Sequence, residues 1–197
     1  GVTVLQANGE MDAGPVWASA NFKMRQARKS SLYRNEVTEA AVAAVLQAID
    51  RFESGSFTPS LPGAGARGQW RPLMGQSDRQ IDWSLDDTRT ILRKINSADG
   101  APGVADVIGG ELYHIYDACE EDSLRGRAGE IIARRHGAIC RATHDGAVWI
   151  GHLKAIIPGE KTFKLSATVV LNGTLAGVPE VPLSPDVSRD RKTCQEI

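Results

Sequence analysis

The sequence predicts an α/β segment followed by a mostly β domain. Three observations predict it. A strand-like opening and one strong helical pattern fill the first 55 residues. A stretch rich in Gly and Pro follows. Beyond residue 100 the hydrophobic period shortens from helical spacing to alternation, broken by hairpin dipeptides.

Gly1-Val2-Thr3-Val4-Leu5 alternates from the first residue, as a strand cut from something longer would. Asn8-Gly9-Glu10-Met11-Asp12-Ala13-Gly14-Pro15 is dense in turn formers, and Val16-Trp17 resumes an extended pattern. Lys23, Arg25, Arg28, Lys29 and Arg34 then gather as a solvated basic face. Asn35 is the expected N-cap of a helix whose stripe is Val37, Ala41, Val45, Ala48 and Phe52, with Gly55 as its stop.

Between Ser56 and Gln80, Pro59, Pro62, Gly63, Gly65, Gly68, Pro72 and Gly75 show no period and read as a linker. Ser84, with Asp87 three residues on, predicts a capped second helix with Ile91, Leu92 and Ile95 on one face. Five short strands are expected at 104–108, 111–118, 130–134, 138–143 and 147–155. Gly109-Gly110, His136-Gly137 and Asp145-Gly146 provide turns between them, a pattern that suits a small closed or nearly closed barrel. From Ile156 the chain reads as irregular. The expected organisation is a first segment at 1–55, a linker at 56–83, a barrel-like domain at 84–157 and a connector at 158–197.

Composition excludes several classes. With 23 Lys+Arg against 24 Asp+Glu the net charge is −1, so the whole chain lacks the signature of a nucleic-acid or membrane binder. No apolar run approaches the roughly 20 residues that span a bilayer. Three cysteines, Cys119, Cys140 and Cys194, leave one unpaired in any disulfide scheme, which suits a reducing cytoplasm. His114, His136, His144 and His152 have no zinc-site spacing, so no metal is expected. No P-loop, G-x-S-x-G elbow or dinucleotide fingerprint is present. What remains is Asp12, a carboxylate held by a Gly-containing loop at a strand end. Such a group can orient a histidine during acyl transfer, and it can equally be an ordinary turn residue.

The run from Gly1 to Met11-Asp12-Ala13-Gly14-Pro15 resembles the end of the catalytic domain in the folate-dependent formyltransferase family, where a strand and loop lead into Asp-x-Gly. Ile81-Asp82-Trp83, the helix to Ile95 and Pro102-Gly103 look like the start of that family's C-terminal domain. Residues 14–18, 29–34 and 138–154 look most like the branch that serves NiFe hydrogenase maturation. The resemblance implies the C-terminal piece of a Rossmann-like formyltransferase domain using 10-formyltetrahydrofolate, then an OB-like β-barrel. A hydratase-type domain binding coenzyme A would follow downstream. The formyl group would pass from folate to coenzyme A, with carbon monoxide released for the hydrogenase iron.

By the same resemblance Asp12 is the catalytic Asp. It would act with an Asn and a His that precede Gly1, so the triad is incomplete in this chain and the chain alone is expected to be inactive. Asn8, Gly9, Glu10 and Met11 would line the folate pterin pocket through backbone groups. Expected partners are the folate substrate and hydrogenase maturation proteins, with no membrane. A methionyl-tRNA formyltransferase is the enzymatic alternative. Against it, residues 100–157 hold six Arg and Lys but eight Asp and Glu, where a phosphate-binding face should be positive. A non-catalytic spacer barrel, with Tyr113, Tyr116 and Trp149 as core, is the third reading.

Overall fold

The computed structural model describes residues 1–61 and 71–182. Pro62 to Gly68 of the expected linker, and the charged tail from 183 with Cys194, lie outside the described residues. The chain forms two compact units, Gly1–Gln26 with Ser30–Leu73, and Ala27–Lys29 with Met74–Ile197.

In the first unit β1 (Val2–Leu5) pairs antiparallel with β2 (Val16–Ala20), Val2 opposite Ala20. A helical turn, α1 (Lys29–Leu32), and a π-helical turn (Tyr33–Val37) lead into α2 (Thr38–Ser54). Asn35 is therefore not an N-cap. Its side-chain amide donates back to the Ser31 carbonyl at 2.8 Å, because the chain is already helical there. Gly55 does end the helix, in the left-handed conformation. The buried stripe differs from the expected one: Ala40, Ala44 and Ala48 face inward, and the small side chains of Ala44 and Ala48 pack with Ala18, Val4, Trp17 and Ala20. Val42, Val45, Leu46, Ile49 and Phe52 lie exposed along another face, Phe52 at 71%.

In the second unit α3 spans Thr88–Ala98. Its cap is Asp87, whose carboxylate accepts from the Thr90 amide at 2.7 Å, and not Ser84. Ser84 is committed elsewhere, since Asp82 accepts the Ser84 and Leu85 amides and closes a turn there. Asp145 accepts the Thr88 amide at 2.8 Å and its hydroxyl at 2.7 Å, latching the helix start to a distant hairpin. Ile91, Ile95 and Ala98 are fully buried.

The strands are β3 (Val104–Ile108), β4 (Glu111–Glu121), β5 (Ile131–Arg135), β6 (Ala138–Ala142), β7 (Ala147–Ala155) and β8 (Leu165–Ser166). They pair antiparallel in the order β3-β4-β7-β6-β5, with β8 beside the second half of β7. The backbone does not close this OB-like sheet: among the described residues β3 and β5 are not paired. Side chains join across instead. Arg141 on β6 is buried and ion-paired with Asp106 on β3, donates to the Gly129 carbonyl at 2.7 Å, and stacks over Trp83 at 4.0 Å. The Trp83 indole donates to the same Asp106 carboxylate at 2.8 Å.

Beyond Ile156 the chain is less irregular than expected. β8 and α4 (Ala167–Val170) carry Ala167, and Leu171 and Leu175 follow it into the core. Elements of two and four residues are too short to leave a period in the sequence. Tyr113, Tyr116 and Trp149 are all buried. No helix among the described residues is long and apolar enough to cross a membrane.

Replacing Arg141 by Met should destabilise the protein by about 3–5 kcal/mol, because it strands the Asp106 carboxylate in a partly buried site. Adding Asp106→Leu should recover much of that loss in urea titrations. A second expectation concerns acid. Burial would raise the Glu121 carboxyl, but hydrogen bonds from Ser123, the Trp149 indole and the Leu124 amide outweigh it and hold it at about 2. The unfolded carboxyl titrates near ~4.3. This stabilisation is therefore complete above that value and is lost as the pH falls towards about 2. Melting temperatures across that window should fall less for Glu121→Gln than for the parent.

Candidate functional site

The loop between β1 and β2 is pinned at its base. The Gln6 amide donates to the Pro15 carbonyl at 2.9 Å, and the Trp17 indole donates to the Gln6 side-chain oxygen at 3.3 Å. Gly14 is buried, and a Cβ there would stand 1.7 Å from the Gln6 carbonyl oxygen. Only glycine lets the returning chain approach so closely, which is the physical reason for a glycine two residues after Asp12.

Above that base the five residues singled out in the sequence share one exposed loop. Asn8 accepts the Glu10 amide at 3.0 Å, an Asx-type turn that carries the chain over Gly9. Met11 is 89% exposed. Asp12 is exposed with φ at 61°, a left-handed conformation that Asp and Asn adopt more readily than most residues. Among the described residues its carboxylate has no hydrogen bond or ion pair, and no group of three His, Cys, Asp or Glu residues is placed to hold a metal. The loop is thus a rigidly based arm presenting an unengaged carboxylate.

The four histidines do not join that loop within its unit. Cys140 is no nucleophile: burial pushes its thiol up to about 12, so it stays protonated. One constellation escaped the sequence reading. Arg28 does not belong to a solvated face. It is 15% exposed and its guanidinium meets Asp117 at 3.0 Å, while His152 Nδ1 lies 2.9 Å from the other Asp117 oxygen. The signal available was an aspartate at 117 between the apolar pairs Ile115-Tyr116 and Ala118-Cys119 of a strand. Arg25 is paired as well, with Glu36 and, at 2.6 Å, the Ser31 hydroxyl.

Residues 73–173 match the family described as formyl transferase, C-terminal domain. The chain is 50% identical over 183 residues to the hydrogenase maturation factor HoxX of Bradyrhizobium diazoefficiens, covering 92% of this chain and 32% of that protein. It is 27% identical to the methionyl-tRNA formyltransferase of Streptococcus mutans, covering 88% of this chain and 53% of the relative. Among solved structures, HypX from Aquifex aeolicus in complex with tetrahydrofolic acid superposes with a TM-score of 0.86 at 43% identity, over 93% of this chain and 32% of that one. The chain therefore spans about a third of the length of its hydrogenase-maturation relatives. With half its length matched by the family and the sheet built as described, the chain belongs to the formyl transferase C-terminal domain family.

Proposed function

We propose that this chain is part of a folate-dependent formyltransferase of hydrogenase maturation. The carrying observation is 50% identity to HoxX across 92% of the chain, well above the 27% shared with the tRNA enzyme. In this reading 10-formyltetrahydrofolate is the donor, a role supported by the tetrahydrofolate complex of the HypX relative. Asn8, Gly9, Glu10 and Met11 contribute backbone groups to the pterin site. Coenzyme A is the acceptor, bound by a hydratase-like domain, and carbon monoxide is released for the NiFe centre. The work is cytoplasmic, in company with hydrogenase maturation proteins.

Residues 1–55 are then the closing segment of the catalytic domain. The apolar face of Val42, Val45, Leu46, Ile49 and Phe52 supports this, because such a stripe suits packing against further layers of an α/β domain. Residues 56–83 link it to an OB-like domain at 84–157, and 158–197 lead onward, with Ile81 and Trp83 before that domain and Ala167, Leu171 and Leu175 after it packing into its core. Asp12 holds a histidine in one orientation and stabilises its protonated form while the folate amine leaves. The carboxylate's lack of partners among the described residues suits a group completed by an Asn and a His elsewhere in the full protein.

Asp12→Asn in the full-length protein should lower formyl transfer by about 10² to 10⁴. Stability should shift by no more than about 0.5 kcal/mol, since the site is exposed and Asn tolerates the left-handed backbone equally well. Near-parental turnover would return Asp12 to the role of a turn residue. In gel-shift titrations with initiator tRNA the protein should not bind, and tight binding would favour the methionyl-tRNA reading.

A further inference from the structure

Three described residues other than glycine have φ in the left-handed region: Asp12, Asp117 and His136. His136 sits in the turn between β5 and β6, and Asp12 in a loop. Asp117, at 62°, stands in the middle of the eleven-residue strand β4, where no turn demands it. The ladder skips Asp117 and resumes in the same register, Tyr116 opposite His152 and Ala118 opposite Ile150. Backbone strain of this kind costs on the order of 1–3 kcal/mol and persists where the surroundings hold a side chain in a required place.

That place is sharply defined. The Asp117 carboxylate is 5% exposed and lies against Gly151, where a Cβ would come within 2.4 Å of its oxygen. One oxygen takes the Arg28 guanidinium at 3.0 Å, and the other faces His152 Nδ1 at 2.9 Å. The arginine pairs with the buried carboxylate, and the carboxylate accepts from His152, which places the imidazole hydrogen on Nδ1. The lone pair of Nε2 is then directed away from Asp117. His152 is 33% exposed, and Nε2 has no hydrogen-bond partner among the described residues. Cationic groups stand nearby. Lys164 lies 5.1 Å from the ring of Tyr116, the cross-strand neighbour of His152, and Lys154 follows His152 two residues along β7. His114 and Tyr116 on β4 and Ser166 on β8 complete the polar surroundings.

We propose that His152 is the proton acceptor of a second acyl-transfer site in this chain, positioned by Asp117 and Arg28, acting on small formyl esters or thioesters. The acceptor is a hydroxyl, a thiol or water. As its oxygen or sulfur forms a bond to the formyl carbon, its proton moves to Nε2. The bond from that carbon to the leaving group then breaks, and the imidazolium returns the proton to the leaving group. The choice of a formyl group rests on the formyltransferase reading, whereas the acid–base geometry does not.

The probe is p-nitrophenyl formate, hydrolysed by the 197-residue chain to formate and p-nitrophenol and followed by absorbance. His152→Gln should lower the protein-dependent rate by about 10² to 10⁴, the contribution typical of a positioned base. His152→Ala should show the same loss and be restored by added imidazole, which a purely structural histidine would not allow. Asp117→Asn should lower kcat more than it raises KM, with the circular dichroism spectrum retained. Exposed His144→Ala should leave the rate unchanged, and because p-nitrophenyl formate needs no folate, failure of the folate reading and of this one are distinguishable. Equal rates for the parent and a folded His152→Gln variant would overturn the proposal.

Discussion

The second unit depends on a guanidinium that has been taken out of water. Arg141 points into the space that an open five-strand path leaves between β3 and β5, and a charge can occupy such a place only when paired and hydrogen-bonded. Asp106 supplies the charge, Gly129 a carbonyl, and Trp83 both a face for the cation and a donor to the same carboxylate. Four parts of the chain are fixed relative to one another: β3, β6, the turn before β5 and the segment before α3. This accounts for Ile81 and Trp83 being core although they lie outside any helix or strand. It also ties together the two ends of an open sheet, side chains doing across one gap what backbone hydrogen bonds do elsewhere.

With that gap spanned, the long pair β4 and β7 is free to carry the apolar core on one side and polar groups on the other. Ile115, Ile150 and Leu153 are wholly buried with α3. Tyr116, His152 and Lys154 belong to the opposite side of the pleat. The alternation breaks at Asp117: Ile115 and Leu153 face the core on one side of it and Ala118 and Ile150 on the other, and the left-handed backbone at that break brings the Asp117 carboxylate to His152.

Much of the sheet was legible in the sequence, because strand period and turn chemistry are local. Residues 104–108 and 147–155 form strands with the expected limits, and Gly109-Gly110 and His136-Gly137 connect hairpins as their dipeptides suggest. Helix starts were less legible. Ser84 and Asn35 have the right chemistry for caps, but Asp82 had already engaged the Ser84 amide, and the chain around Asn35 was already helical. The face of α2 was misread for a different reason. The largest apolar residues of a helix are expected inside, yet against a two-strand hairpin the alanines pack inward and the larger side chains stay out. Arg28 and Asp117 are 89 residues apart, and no local pattern could pair them.

The two left-handed aspartates show how far local chemistry reaches. Each stands beside a glycine that only a missing side chain could serve: Gly14 lets the loop close below Asp12, and Gly151 makes room for the Asp117 carboxylate. Both glycines were visible in the sequence, and neither could be told from an ordinary turn or strand glycine without the approach that requires it. The aspartates differ in what surrounds them. Asp117 finds an arginine and a histidine within its own unit, so its chemistry is complete there. Asp12 has the same backbone conformation and a loop base just as tightly held, but no partner among the described residues. The Asp12 carboxylate, exposed on a loop held at its base, therefore stays open to solvent where that of Asp117 is enclosed.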